Sequence, residues 1–347
     1  MFNTIKKILP LLFSLLFVIA CGGYDGPQST FDTYGPIAEE QADLFYLILW
    51  AGMVVLVACE LAIIYIYIKY RRKKNSDRIP SQTHGNTRLE ILWTVLPVIF
   101  LAIVSVPVLS AIWSFGTAPE NPDVVVNVKG HQYWFEFEYP DLEVVTANEL
   151  HIPVGKKVLI NLDSNNVLHS FWIPKIAGKT DIIPNQGNFM WIQGDKIGMY
   201  YGQCAEFCGE SHALMRFRVI VETDEDFQSW ISHEKSEAYV PNDPLEKTGY
   251  DIFMSSKAGC GGCHMINGSK KAKGKIGPNL THFGSRQHMA AGILDNNQVN
   301  LRNWIRDPDM IKPGNIMSGQ GAVYMDPNKS LTESEVIALA SYLQSLK

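Results

Sequence analysis

Charge and cysteine are both scarce in this 347-residue chain, and neither is spread evenly. Charged residues make up 19%, and a formal net charge of −5 leaves no basic excess of the kind that nucleic-acid-binding domains carry. The one dense basic run, "KYRRKK", follows directly on an apolar stretch, which is typical of a segment flanking a membrane span. The sequence therefore predicts a membrane as a partner and gives no reason to expect nucleic acid.

The six cysteines are too scattered to indicate one disulfide framework, so each is interpreted by its neighbours. One follows an apolar N-terminal run, one lies inside a second apolar run, and the other four form two close pairs. They are Cys21, Cys59, Cys204 with Cys208, and Cys260 with Cys263. The two pairs are the candidates for metal or cofactor chemistry.

Polar residues are rare in two long segments, 44–68 and 89–115. At about 1.5 Å of helix per residue, each is long enough to cross a hydrocarbon core of about 30 Å. The short loop between them is rich in lysine and arginine, so the positive-inside rule places it in the cytoplasm and everything after residue 115 outside. We expect a transmembrane helix hairpin over residues 44–115.

The first 20 residues combine a basic start at Lys6 and Lys7 with the apolar core "ILPLLFSLLFVIA", as in an export signal. Cys21 directly follows this core, and its placement resembles the lipobox of bacterial lipoproteins, in which the cysteine carries a lipid anchor. A plain signal peptide with an incidental cysteine is the alternative. We expect a signal peptide with lipobox over 1–20 and an external segment over 21–43.

Beyond residue 120 the pattern changes to short alternating runs such as "VVVNVKG", "YWFEFEY" and "FRVIVE", separated by glycine, proline and asparagine. Such runs predict a small antiparallel β-sandwich or barrel. At its end, "YYGQCAEFCGESHALM" places the thiols of Cys204 and Cys208, the imidazole of His212 and the thioether of Met215 in one loop. This is a soft ligand set, which favours copper over zinc.

The loop has one thiol too many and one imidazole too few for a mononuclear blue-copper site. His169 in "NVLHSFWIP" is the best candidate for the second imidazole, because it lies in the same predicted domain just after a strand-like run. Two bridging thiolates with two imidazoles and a thioether can serve two copper ions. A structural zinc site and a disulfide stay open as alternatives, although neither gives Met215 a role.

Five segments in a fixed order carry a family resemblance: "LEILWTVLP", "GHQYWFEFEY", "VLHSFWIP", "KTDIIP" and "YYGQCAEFCGESHALM". Behind a transmembrane hairpin, they resemble subunit II of cytochrome c oxidase over about residues 40–222. The resemblance implies a cupredoxin-like, all-β domain over 120–222 that holds the binuclear copper centre CuA. Quinol-oxidising relatives keep this fold but lack the copper ligands, and all of those ligands are present here.

The resemblance also implies a ligand set in which the two cysteines bridge two copper ions. The implied ligands are the side chains of His169, Cys204, Cys208, His212 and Met215 and the backbone carbonyl of Glu206. His169 and Met215 would complete one ion, and His212 with the Glu206 carbonyl the other. The Glu206 carboxylate would be free to bind a magnesium ion shared with subunit I. Glu90, in "LEILWTVLP", would lie at the entrance of a proton path into subunit I.

The C-terminal part carries a second cofactor motif after a polar stretch, 223–244, that we expect to be a linker. Cys260, Cys263 and His264 form the C-x-x-C-H signature of covalent haem c, in which two thiols bond the vinyl carbons and the histidine binds iron. A helix precedes the motif and an amphipathic helix with a capping box closes the chain. These features resemble an all-α class I cytochrome c domain over 245–347.

The same resemblance assigns partners to the haem histidine. The "IGPNL" segment would place the carbonyl of Pro278 against His264, and a downstream methionine would supply the sixth ligand. Met317 matches the family's position better than Met310 or Met325, although Ser318 replaces the usual following proline. The remaining histidines are expected at the surface or in satisfied structural positions: His84, His131, His151, His233, His282 and His288.

Two departures from the family pattern concern the docking of a soluble cytochrome c. Tyr133 stands where the family commonly has the tryptophan that takes electrons from a soluble donor. Asn165 and Asn166 stand where relatives that dock soluble cytochrome c are often acidic. A tethered haem domain needs little affinity for the copper domain, because a linker gives an effective concentration on the order of millimolar.

The expected protein is a multi-domain membrane subunit that relays electrons. An external donor, such as a cytochrome or a cytochrome bc complex, would reduce haem c, CuA would pass the electron on, and subunit I would reduce oxygen to water with proton translocation. The partners would be subunit I and other oxidase subunits in a bacterial cell membrane, with both cofactor domains on the external or periplasmic face. A CuA-containing nitric oxide reductase and a non-redox assembly subunit are the alternatives.

Overall fold

The computed structural model describes residues 25–71, 82 and 84–347. The predicted signal peptide and lipobox, including Cys21, lie outside the described residues, as does most of the basic loop. Residues 39–120 form one compact unit, and residues 121–347 belong to another together with the described part of the segment before residue 39.

Two long helices make up the apolar part of the chain: Pro36–Tyr70 with 35 residues and Thr87–Phe115 with 29. Both are long and apolar enough to cross a membrane. Large apolar side chains are exposed along both of them. The first helix begins earlier than the apolar segment 44–68, because Pro36 suits the first helical position and the acid Glu39 lies in the first turn.

Residues 124–222 form ten strands in two five-stranded sheets, which we call the β domain. One sheet has the order β3-β2-β1-β5-β8 and the other β4-β10-β9-β6-β7. The strands are β1 Val124–His131, β2 Trp134–Tyr139, β3 Val144–Ala147, β4 Glu149–Pro153, β5 Val158–Ser164, β6 His169–Trp172, β7 Lys179–Ile182, β8 Asn188–Ile192, β9 Gly198–Cys204 and β10 Arg216–Glu222.

The β domain is not purely antiparallel, which differs from the sequence expectation. β1 pairs with β5 and β10 pairs with β4 in parallel, whereas the other pairs are antiparallel. Alternation along a strand reports which side chains face the core and does not report the direction of the neighbouring strand. The parallel pairs therefore could not be read from the local pattern.

Aromatic side chains from both sheets fill the core of the β domain. Phe135 and Phe137 of β2, Phe171 of β6 and Phe217 of β10 are completely buried. The rings of Phe171 and Phe217 stack with centroids 4.4 Å apart, and Phe135 meets Phe217 edge to face at 5.0 Å. A Cβ on Gly202 would lie 2.2 Å from the Phe217 ring, so glycine is required there. This packing fixes β6, β9 and β10 beside one another.

The segment expected as a linker, 223–244, contains a helix over Asp224–Glu234. Thr223 caps it by accepting a hydrogen bond from the amide of Asp226. Phe227 and Ile231, four residues apart on one face, are buried, and Trp230 stacks on His151 of β4 with ring centroids 4.3 Å apart. The polar composition of this segment concealed a helix that packs on the β domain.

Residues 244–345 form a second, mainly helical body, which we call the helical domain. Its helices are Pro244–Phe253, Gln298–Arg306, Pro308–Ile311, Ile316–Gln320, Ala322–Met325 and Glu333–Ser345. A small hairpin of β11, His288–Met289, and β12, Leu294–Asp295, is its one sheet. The last helix begins with the predicted capping box, in which Thr332 and Glu335 bond reciprocally.

The first and last helices of the helical domain cross in close contact. A Cβ on Gly249 would lie 2.1 Å from the carbonyl oxygen of Ala338 and 2.7 Å from the Cβ of Tyr342. Tyr342 and Phe253 are fully buried in the same apolar cluster, which also contains Ile305. The crossing holds one wall of the large cavity described below.

Candidate copper and haem sites

Three neighbouring strands position the cysteine loop of the β domain. β9 ends at Cys204 and β10 begins at Arg216, so the loop between them is anchored at both ends. β6 pairs with β9 through Phe171 and Cys204, which places His169 at the start of β6 beside the loop. Residues separated by more than thirty positions thus meet because the sheet joins them.

The sulfur and nitrogen atoms of the loop converge on one point. The Sγ atoms of Cys204 and Cys208 lie 3.8 Å apart. His169 Nδ1 lies 3.8 Å from Cys204 Sγ, and His212 Nδ1 lies 3.6 Å from Cys208 Sγ. The Met215 Sδ atom lies 3.8 Å from Cys208 Sγ. The cluster of His169, Cys204 and Cys208 is buried and has the spacing of a metal site.

The backbone carbonyl of Glu206 completes this arrangement at 3.3 Å from Cys204 Sγ. All six groups named from the sequence therefore meet in one place. The Cys204 thiol also has a lowered pKa, because a hydrogen bond from the Cys208 thiol stabilises the thiolate, with further help from His169 and backbone groups. Thiolate is the form that binds metals.

Polar neighbours that the motif did not reveal hold the His169 ring in place. The side-chain oxygen of Asn166 lies 3.1 Å from His169 Nε2, which leaves Nδ1 pointing toward the sulfur atoms. Gln132 donates to the Cys208 carbonyl at 2.7 Å and accepts from Asn166 at 3.2 Å. A Cβ on Gly130 would lie 2.6 Å from the His169 ring, so only glycine fits there. Gly130 directly precedes the "HQ" of the family motif, and this position was the sequence signal that could have identified it as part of the site.

Glu90 lies in a different unit from the sulfur cluster. It occupies the first turn of the helix Thr87–Phe115, where its amide donates to the Asn86 carbonyl at 3.0 Å. Its backbone carbonyl accepts from the Thr94 hydroxyl at 2.8 Å. The structure thus places Glu90 at the start of an apolar helix.

The haem motif forms a tight turn over Cys260–Gly262, whose end brings the thiols and His264 to one wall of a cavity of about 320 Å³. Cys260, Cys263 and His264 all line it. The Nδ1 atom of His264 lies 2.9 Å from the Pro278 carbonyl, which confirms the predicted acceptor. Burial lowers the pKa of His264, so the imidazole is neutral and able to bind a metal.

Met317 is the only one of the three candidate methionines to line this cavity. Met310 and Met325 are 85% and 62% exposed, which is incompatible with binding a buried iron. Met289 also lines the cavity, but it is buried in the apolar cluster of the helical domain. The cavity combines apolar walls with a histidine, two thiols and a thioether, which fits a haem covalently attached at the motif.

The fold and its two sites define a membrane-anchored electron-transfer protein with one copper-binding and one haem-binding domain. Three family descriptions match the chain: the transmembrane domain of cytochrome c oxidase subunit II over residues 28–111, its periplasmic domain over 143–223, and cytochrome c over 247–347. The chain belongs to the cytochrome c oxidase subunit II family and carries a C-terminal cytochrome c domain. Membership implies CuA copper and haem c as cofactors.

Curated relatives match over most or all of the chain. Cytochrome c oxidase subunit 2 of Alkalihalophilus pseudofirmus is 38% identical over 100% of this chain and 98% of the relative. The subunit of Bacillus sp. strain PS3 is 40% identical over 80% of this chain and 79% of the relative. Quinol oxidase subunit 2 of Bacillus subtilis is 33% identical over 73% of this chain and 79% of its own length.

Solved structures match part of the chain. The periplasmic domain of subunit II of cytochrome oxidase from Bradyrhizobium japonicum is 30% identical, with a TM-score of 0.33. The match covers 34% of this chain and 97% of that domain. A subunit of a heme-copper terminal oxidase dimer is 24% identical over 39% of this chain and 99% of its own, with a TM-score of 0.31.

Proposed function

We propose that this chain is the electron-entry subunit of a haem-copper oxidase and relays electrons from an external donor, through haem c and CuA, to subunit I. The convergence of all six predicted copper ligands on one buried point carries the proposal. When bound, haem c and CuA supply one-electron chemistry, and the protein makes or breaks no substrate bond. The curated relatives named as cytochrome c oxidase subunits favour oxygen over nitric oxide as the terminal acceptor.

In this proposal the chain's own side chains hold the copper centre rigid. Cys204 and Cys208 would hold the copper together with His169, His212, Met215 and the carbonyl of Glu206. Asn166 and Gln132 fix the orientation of the His169 ring and of the loop through the hydrogen bonds described above. A site whose ligands are already in place needs little rearrangement when its charge changes.

Cys260 and Cys263 would attach the haem, and His264 and Met317, which line the same cavity, would bind its iron. Pro278 holds the His264 ring through its carbonyl, which keeps the Nε2 atom available as the ligand nitrogen. The exposed positions of the competing Met310 and Met325 support Met317 in this role. The apolar lining of the cavity would limit the access of water to the bound haem.

Three further assignments belong to the same proposal. Glu206 binds magnesium shared with subunit I through its carboxylate, and Glu90 is the entrance of a proton path into that subunit. The segment before the first helix is exported with a signal peptide and a lipid anchor at Cys21. The two cofactor domains then face the outside of a bacterial membrane, and proton translocation is a property of the complete oxidase.

The test is an optical spectrum with metal analysis of the purified full-length chain. We expect near-infrared copper absorption, two copper ions per chain and a covalently bound haem. Cys208→Ser should abolish the copper signal, whereas Cys59→Ser, in the first long helix, should not change it. Met317→Ala should alter the haem ligation, whereas Met310→Ala, at an exposed position, should not. A wild-type chain that binds a single zinc ion and no haem would refute the proposal.

A further inference from the structure

The β domain and the helical domain meet through ionisable side chains that are almost completely buried. Lys312 is 3% exposed, Arg218 is 4% exposed and Glu149 is 5% exposed. Such groups are buried at considerable expense unless polar partners replace the lost water. Each of the three has partners, and each finds at least one of them across the boundary between the domains.

Lys312 reaches from the helical domain into the β domain. Its Nζ atom donates a hydrogen bond to the backbone carbonyl of Tyr133 and another to the carbonyl of Ala290 at 3.3 Å. Tyr133 itself is 6% exposed, and its hydroxyl accepts from the amide of Glu210 at 3.0 Å. Lys312 thus fixes the haem-bearing domain to the segment that supports the cysteine loop.

The residue after Lys312 makes a second link to the cysteine loop. The hydroxyl of Ser211 donates to the carbonyl of Pro313 at 2.6 Å, and Ser211 is 1% exposed. Ser211 directly precedes the proposed copper ligand His212. The backbone of Gly314 has φ 69, and a Cβ there would lie 2.7 Å from the Glu210 carboxylate, so the two segments approach closely.

Two further anchors reach in the opposite direction, from the β domain to the helical domain. Arg218 of β10 donates to the Gly292 carbonyl at 2.6 Å. Glu149 of β4 accepts hydrogen bonds from the amides of Gln287 and His288 at 3.0 and 2.9 Å. Partners spaced along both sides restrict rotation as well as separation. Tyr133 and Trp134 also line the haem cavity, so the β domain closes one of its walls.

We infer that Lys312 is the positioning residue that holds the haem domain on the copper domain in the geometry for electron transfer, with Ser211 as its companion on the copper side. The inference rests on the proposed relay. Lys312 and Pro313 lie a few residues before the haem ligand Met317, and Ser211 adjoins His212, so one short segment connects the two cofactor sites. Transfer between fixed centres depends steeply on their placement, as catalysis does.

The test uses the complete, assembled oxidase with Lys312→Met, and Lys247→Met at an exposed position of the same domain as its control. Rapid photochemical kinetics separate two steps, from haem c to CuA and from CuA to subunit I. We expect the first to slow by roughly tenfold or more in Lys312→Met, with the second and both cofactor spectra unchanged. The control should match the wild type at both steps.

Hydrogen exchange gives a readout that is independent of turnover. In Lys312→Met, peptides covering 130–135 and 287–292 should lose protection, whereas peptides from the core strand β9 should not. A structural role confined to the helical domain would instead raise exchange throughout 244–345. Wild-type protection of both interface peptides would overturn the inference.

Ser211→Ala supplies a second variant that deletes one hydroxyl and leaves Lys312 in place. We expect the same step to slow, and this variant decides the question if Lys312→Met fails to assemble. Wild-type transfer from haem c to CuA in both variants, or in Ser211→Ala alone where the other fails to assemble, would overturn the inference. A wild-type oxidase with no transfer between these cofactors would refute the proposed relay itself, which is a distinct result.

Discussion

His131 shows how burial at a single residue sets the acid stability of the β domain. It is 6% exposed, its ring stacks on Trp134 with centroids 4.2 Å apart, and its Nε2 atom lies 3.9 Å from the Glu136 carboxylate. Loss of water around the ring, together with the charges of Lys129 and His169, lowers the pKa of His131 to about 4. The imidazole is therefore neutral at pH 7, and the distant carboxylate does not form a salt bridge with it.

This lowered pKa predicts a loss of stability in acid. In the unfolded chain His131 has a pKa of 6.5 and binds a proton more readily than in the folded state, so its contribution is complete above pH 6.5. The contribution is lost as the pH falls toward 4 and amounts to roughly 3 kcal/mol. Guanidinium unfolding of the full chain, followed at the β domain, should show a shallower dependence on pH in His131→Gln.

The exposed His84 provides the control for this measurement. His84→Gln should keep the wild-type slope of unfolding free energy against pH between 4 and 6.5. If His131→Gln retained that slope as well, another group would be responsible for the acid sensitivity.

The sequence predicted the ligands of both sites and missed the residues that orient them. The residue type and spacing of cysteine, histidine and methionine indicate metal and haem ligands, so Cys204 and His264 could be predicted without a structure. Asn166 and Ser211 are common surface residue types, and only the folded chain shows that they bind His169 and Pro313. The neutral state of His131 likewise depends on burial, which no local pattern reports.

The helix crossing at Gly249 brings two helices of the helical domain into close contact. No side chain can be accommodated there, because an added Cβ would lie 2.1 Å from the Ala338 carbonyl oxygen, which belongs to rigid helix backbone. An added side chain would force the helices Pro244–Phe253 and Glu333–Ser345 apart. Because both helices contribute to the wall of the haem cavity, that wall would be displaced as well.

Gly249→Ala should therefore destabilise the helical domain by about 2 to 3 kcal/mol, as expected for overpacking. The measurement is guanidinium unfolding of the haem-loaded chain, followed by the Soret band. Gly319→Ala is the matched control, because nothing lies within 4 Å of the position of its added Cβ. Equal midpoints for both variants would show that the crossing tolerates an added methyl group.

At the level of elements, the sequence predicted the type of each domain better than its limits. The β domain and the capped final helix follow from alternation and from Thr332 with Glu335. The helix Asp224–Glu234 was missed because only a few apolar residues, among them Phe227 and Ile231, define its buried face. The parallel pairing of β1 with β5 depends on crossovers between distant segments, which short patterns do not encode.

The whole molecule separates its two cofactor sites into two bodies that share one interface. Copper held by the six proposed ligands would stabilise the folded β domain, because those ligands converge only when the domain is folded, so its removal should lower the stability of that domain selectively. A haem attached covalently through Cys260 and Cys263, as proposed, would remain in place when a chelator removes copper.

Chelation should lower the midpoint of thermal unfolding of the β domain on the order of 10 °C. Scanning calorimetry of the full chain, with the Soret band followed in parallel, resolves the two domains. The transition reported by the haem should move much less than that of the β domain. Equal shifts of both transitions would mean that the two bodies unfold as a single cooperative unit.

At the scale of the whole molecule, the sequence predicted that a linker joins the haem domain to the copper domain. It did not predict that the two domains share an interface of buried contacts. A polar linker suggested that the haem domain meets the copper domain through high effective concentration alone. The buried contacts of Lys312, Arg218 and Glu149 instead give a defined orientation. The sequence does not show that an ionisable side chain is buried between two domains, because its partners belong to distant parts of the chain.

The burial of Tyr133 against the helical domain has a consequence for the proposed relay. A soluble donor that docked on an exposed Tyr133 surface would deliver electrons at a rate set by its own concentration. With that surface covered by the helical domain of the same chain, the concentration of the external donor would instead set only how quickly the haem domain is reduced again.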